Sequence, residues 1–160
     1  MHTFLFRTFV LQSKIMSQKI HIIDFRIRSS WHGISRLYNS SAQAHDSTSS
    51  MGFALLNIEK KGTLSTQLGP KMGMESRSLS RILKSMWSSG FILKKGDKGD
   101  KRKTHLFLSK KGLELRKIAA HRVKYFNERV FKKVSREELE AFYKVMDAVD
   151  ESIEELKNER

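Results

Sequence analysis

From Ser65 to Gly112 the chain runs through two helical periodicities and a strand-like one, punctuated by glycines, and few folds accept that order. Leu68 and Met72 stand four apart, as one face of a helix requires. Gly69 is small where a second helix crossing close needs no side chain. Gly73 follows at a turn, where glycine takes a positive φ at little cost. Met74, Leu79, Ile82, Leu83 and Met86 line the inner face of a second helix, so the pair occupies 65–83, and Gly90 is placed to end it. Its outer face shows Ser76, Arg77, Ser78, Ser80, Arg81 and Lys84. Short hydroxyl side chains with arginines suit a helix lying in a major groove, where arginine reaches guanine edges or phosphate. Phe91 to Lys95 and Thr104 to Leu108 are strand-like, and Gly96-Asp97-Lys98-Gly99-Asp100 between them is turn chemistry. A helical pair followed by a basic hairpin predicts a winged helix-turn-helix.

The flanks are helical too. Ile20, Ile23, Ile27, Trp31, Ile34 and Tyr38 recur at spacings of three and four, which predicts an amphipathic helix over 19–40. The small polar run over 40–50 reads as a loop. Residues 51–60 form an apolar short helix, with Gly62 placed to end it. Leu115, Ala119, Val123, Phe126, Val130 and Val134 mark one long helix. Ser135 and Glu138 make a capping box at the start of another. There Leu139, Phe142, Met146, Val149, Ile153 and Leu156 form a narrow stripe, resembling a coiled-coil seam more than a face covering a core.

Charge separates these regions. The chain carries 31 Lys and Arg against 17 Asp and Glu, and that excess points to a polyanionic partner, most simply nucleic acid. Residues 91–111 hold eight basic side chains and two aspartates, whereas 135–160 hold four basic and nine acidic ones. A nucleic-acid footprint on one part and a helical scaffold on another produce such segregation. With no cysteine, disulfides, thiolate metal sites and thiol switches are excluded. His2, His21, His32, His45, His105 and His121 show no metal-ligand spacing. No nucleophile elbow, phosphate loop or dinucleotide fingerprint occurs, so neither an enzyme nor a cofactor is expected. No membrane-length apolar run occurs either.

At the hairpin, Asp100-Lys101-Arg102 and then Leu108-Ser109-Lys110-Lys111-Gly112 resemble the wing pattern of the MarR (multiple antibiotic resistance regulator) family. The resemblance extends over roughly 17–157, because the helical pair and the flanking helices stand in the family's order. It implies a mainly α protein with a small β-hairpin wing, dimerising through its N- and C-terminal helices. It implies that Arg102 enters a minor groove, that Asp100 braces the wing, and that Ser78 and Arg81 face the major groove. Ser76, Arg77, Lys84, Lys98 and Lys101 complete the expected DNA-binding set. Two departures stand out: Pro70 inside the first helix of the pair costs it a backbone hydrogen bond, and Glu75, where the second helix usually opens with Ser or Thr, is a poorer cap.

The expected organisation is an N-terminal extension over 1–16, with Met16 the natural start, and one domain over 17–160. Within it, 51–111 form the DNA-binding lobe, and 17–45 and 112–157 the dimerisation helices. Trp31, His32, Tyr38 and Phe53 carry two readings. The stripe spacing of Trp31 and Tyr38 favours core, and the resemblance implies a pocket formed by all four for a small aromatic or anionic effector. The function expected is cytoplasmic, nucleoid-associated regulation of transcription: a homodimer bound to a pseudo-palindromic double-stranded DNA operator, usually as a repressor. The rivals are a non-specific architectural DNA-binding protein and a winged-helix module for protein or RNA.

Overall fold

The computed structural model of the chain describes residues 22–97, 99–100 and 102–159. The expected extension over 1–16 lies outside these residues, as do Ile20, Lys98 and Lys101. The chain divides into two compact units between Ser49 and Ser50.

The first unit is built on α1 (Ile23–Gln43). The expected loop over 40–50 is shorter than its composition suggested. Ala42 and Gln43 are adequate helix formers and prolong α1. The chain then turns at Asp46, whose φ of 50° is left-handed, and Ser47 N–H returns to the Ala42 carbonyl at 3.2 Å. Asn39 Oδ1 accepts from the Ser49 N–H at 2.7 Å, where the next helix opens.

The second unit contains the core. It begins with α2 (Ser49–Asn57) and continues through β1 (Thr63–Leu64), α3 (Ser65–Met72), α4 (Ser76–Ser88), β2 (Ile92–Gly96) and β3 (Thr104–Leu108). Gly62 does not end α2, which stops at Asn57. With φ of 99°, Gly62 completes the turn into β1, a strand too short to show alternation in the sequence. The three strands form an antiparallel sheet in the order β1-β3-β2. Ile92 pairs with Leu108 and Gly96 with Thr104, so the wing strands are in full register.

The helical pair is present around Gly73, in the αL conformation at φ 60°. Met74 N–H donates to the Gly69 carbonyl at 3.0 Å, and a Cβ on Gly69 would come 3.2 Å from the Met74 carbonyl oxygen. Gly69 thus makes room for the turn at Met74 and, 3.5 Å from its added Cβ, for the Leu79 side chain of α4. Pro70 sits inside α3, which is only eight residues long, and its missing N–H leaves Thr66 without the usual bond from that position. α4 runs beyond Leu83 to Ser88 before Gly90 turns the chain. Phe91, Leu55, Ile58, Leu68, Met86, Ile92 and Leu106 are fully buried together, each side chain worth ~1.5–3 kcal/mol of apolar burial.

Two long helices complete this unit: α5 (Lys110–Phe131) and α6 (Arg136–Asn158). Ser109 opens α5, its hydroxyl accepting from Gly112 N–H at 3.0 Å and donating to the Gly90 carbonyl at 2.6 Å. Gly112 lies against the Phe91 backbone, where an added Cβ would fall 2.0 Å from the carbonyl oxygen. Arg116, on the next turn, donates to the carbonyls of Ile58 at 2.6 Å and Leu56 at 3.3 Å, satisfying groups at and just beyond the last turn of α2. Val134 falls in the turn after α5 rather than on it. The Ser135–Glu138 capping box forms in both directions. α6 has no buried residue. Among the described residues no helix is long and apolar enough to cross a membrane.

Candidate nucleic-acid interface

α4 is placed by its apolar side. Leu79, Leu83 and Met86 anchor it in the core, three and four residues apart. The opposite side therefore faces solvent by geometry. Ser76, Arg77, Ser78, Arg81 and Lys84 are all exposed, as the sequence predicted. Ser80 turns back on the helix, its hydroxyl donating to the Ser76 carbonyl at 2.8 Å, and is occupied there. Glu75 is the N-cap, in extended conformation, and makes no capping hydrogen bond with its side chain. The first-turn N–H groups of α4 lack that partner, which leaves the positive end of the helix dipole open.

On the long helices Lys117 pairs with Glu114, Lys124 with Glu128, Arg136 with Glu140 and Lys157 with Glu154, while Arg122, Arg129 and Lys144 make no ion pair among the described residues. Among the described residues Arg77, Arg81, Lys84 and Arg102 make no ion pair either. Every described basic side chain on the outer face of α4 is therefore without an acidic partner, as is the wing arginine.

The wing loop joins β2 to β3. Asp100 Oδ1 accepts from the Arg102 N–H at 2.9 Å, and the Asp100 carbonyl accepts from Lys103 N–H at 2.9 Å. Its other oxygen lies 3.6 Å from Lys103 Nζ. Asp100 is thus seated to brace the turn that carries exposed Arg102. Lys98 and Lys101, expected beside them, lie outside the described residues.

Sequence reasoning missed three parts of this region. Asp97 Oδ2 meets His105 Nε2 at 2.8 Å, while Asp97 Oδ1 accepts from the N–H groups of Gly99 and Asp100. The hydrogen bond from His105, then those from Gly99 and Asp100, hold the Asp97 carboxyl below the usual carboxylate range. A carboxylate at the first position of a hairpin loop was the available signal. Lys94 Nζ sits 5.0 Å from the centre of the Trp87 ring, linking β2 to the last turn of α4. Trp87 is one turn beyond Lys84 and 55% exposed, more than a core tryptophan would be. Lys111 caps the other end of the hairpin, Nζ lying 4.8 Å from the Phe91 ring centre and donating to the Ser89 carbonyl.

The four aromatic and histidine positions suggested for an effector divide between the units. Trp31, His32 and Tyr38 are on α1, and Phe53 is on α2. Trp31 is 59% exposed, and neither it nor Tyr38 is the core residue its spacing favoured; the core is drawn from 51–115. Burial pushes the Tyr38 phenol above its usual range. Among the described residues no cluster of three His, Asp or Glu could hold a metal ion.

No family model matches the chain. The HTH-type transcriptional regulator TtmR of Methylorubrum extorquens (strain PA1) is 28% identical over 93 residues. That match covers 58% of this chain and 48% of TtmR, so the chain spans about half the length of this curated relative. Among solved structures, MepR of S. aureus in complex with DNA superposes with a TM-score of 0.75 at 16% identity, covering 81% of this chain and 97% of MepR. AbsC, a MarR family transcriptional regulator from Streptomyces coelicolor, superposes at 0.72 with 17% identity, covering 86% and 96%. The chain has the winged-helix fold of MarR-family regulators, as its wing pattern implied.

Proposed function

We propose that this protein binds double-stranded DNA as a homodimer and regulates transcription. The observation that carries the reading is the unpaired basic face of α4, with Arg77, Arg81 and Lys84 exposed above a helix fixed in the core, beside a braced wing presenting Arg102. In this reading α4 enters the major groove, where Arg81 reads a base edge and Ser76 and Ser78 permit close approach. Arg102 enters the adjacent minor groove, whose narrowness concentrates negative potential. Arg77, Lys84 and the wing lysines Lys98 and Lys101 neutralise phosphates and release counterions.

The second copy is argued from uncovered apolar surface. Phe142, Val145, Ile153 and Leu156 on α6 are exposed, and so are Ile23, Phe25 and Trp31 on α1. A twofold dimer covers such surface and sets two recognition helices about one DNA turn apart, ~34–36 Å. The operator is then pseudo-palindromic. Repression released by a small aromatic or anionic effector near Trp31, His32, Tyr38 and Phe53 is the finer reading the family likeness suggests. A DNA partner places the protein with the nucleoid in the cytoplasm.

Selection from a randomised duplex library, with bulk DNA as competitor, tests this. The expected result is an enriched inverted repeat bound by a dimer. Equal retention of all sequences points to an architectural coat, and failure to retain any duplex overturns the proposal.

A further inference from the structure

The wing has a second brace, and its chemistry differs from the first. β3 is the central strand of the sheet, held by β1 on one side and β2 on the other. His105 lies on that strand, opposite Leu64 of β1 and Lys95 of β2. From there its Nε2 reaches Asp97 Oδ2 across the mouth of the loop at 2.8 Å. The other Asp97 oxygen accepts from Gly99 N–H at 2.8 Å and Asp100 N–H at 3.1 Å, and Asp97 N–H itself donates to the Lys103 carbonyl at 3.0 Å. Asp100, positioned in this way, accepts from the Arg102 N–H. The hydrogen bonds thus run unbroken from the stiffest strand of the sheet to the backbone of the wing arginine.

We propose that His105 is a positioning residue for DNA binding, which holds Asp97 and through it the turn presenting Arg102. This rests on the DNA-binding reading above. An ionised Asp97 can only accept, so Nε2 carries the hydrogen and the ring is the donor that the loop carboxylate needs.

The neighbours of His105 leave Asp97 as its partner: Lys95, opposite it in register, lies with its Nζ over the Phe107 ring at 5.1 Å, and Asp100 is matched by Lys103 at 3.6 Å.

The test measures affinity of the full chain for its selected duplex for wild type, His105→Gln and His105→Ala. Thermal melting of each variant confirms folding. Glutamine can donate to Asp97 in place of the ring, so His105→Gln should keep the sequence preference and change affinity less than about twofold. His105→Ala, without the donor, should bind roughly three- to tenfold more weakly than His105→Gln, the loss of about one hydrogen bond. His105→Ala equal to His105→Gln, or both equally impaired, overturns the proposal alone. A wild type that binds no duplex overturns the DNA-binding reading as well.

Discussion

The residues from 51 to 115 and the helix from Arg136 to Asn158 solve the same problem in opposite ways. The first region buries its own apolar side chains, with Phe91, Leu55, Ile58 and Met86 at or near zero exposure. The second is just as periodic, yet α6 buries nothing, and Leu156 is 61% exposed. Periodicity therefore shows that a face will be covered without showing by what. Width and charge supply the difference. α4 has three apolar residues facing its own core and a basic back. α6 has a narrow apolar seam, suited to packing against another helix, between acidic flanks.

The sharpest way to break this contrast is to charge the seam. Met146→Asp with Val149→Asp should abolish the homodimer and with it tight operator binding, while the lobe keeps its fold. Light scattering and a far-ultraviolet melt check the two halves, and a DNA-competent monomer refutes the assignment. Inside the lobe, Gly112→Ala should cost about 3 kcal/mol or more, because a methyl cannot share the Phe91 carbonyl's space and backbone must move. Chemical denaturation reads it, and a loss under about 1 kcal/mol means that the α5 junction is loose.

Within the binding face, Arg81→Ala should cost ~1–3 kcal/mol and relax preference at one base pair per half-site. Arg102→Ala should weaken binding chiefly at A·T-rich flanks. Equal, sequence-independent losses from both would make the face a phosphate surface only. The smallest effect concerns acid. The folded-state pKa of Asp97 is depressed, so its contribution to the wing is present above the ordinary carboxylate range and is lost as pH falls through the lowered value. Operator affinity should thus fall in strong acid. Asp97→Asn should flatten the acid limb, and titrations of both proteins with duplex check this.

What could be read in advance was local. The turn at Gly73, the cap at Ser135 and the strand-like run from Thr104 to Leu108 each depend on residues within a few positions, and all three are present. What escaped depends on the distant chain. β1 is two residues long and exists because β3 lies beside it. Ser109 looked like part of a motif, but its hydroxyl bridges to Gly90, nineteen positions back. His105 showed no metal-ligand spacing and was passed over, although its partner is a carboxylate eight residues away across a hairpin. Trp31 was misjudged for a related reason, since a stripe on α1 signals coverage rather than burial within this chain.

The junction at Gly112 also has a mechanical meaning. Ser109 and Gly112 fasten the first turn of α5 to the backbone at Gly90 and Phe91, while Arg116 ties the next turn to Leu56 and Ile58. No slack remains there for a hinge. α5 is 22 residues long, hence a rod of about 33 Å at 1.5 Å per residue. A rod clamped at one end works as a lever. A tilt of about 10° imposed on the lobe sweeps its free end by about 6 Å, more than the rise of one helical turn. Angular differences too small to disturb any contact in the lobe thus become displacements large enough to change which side chains meet at the far end.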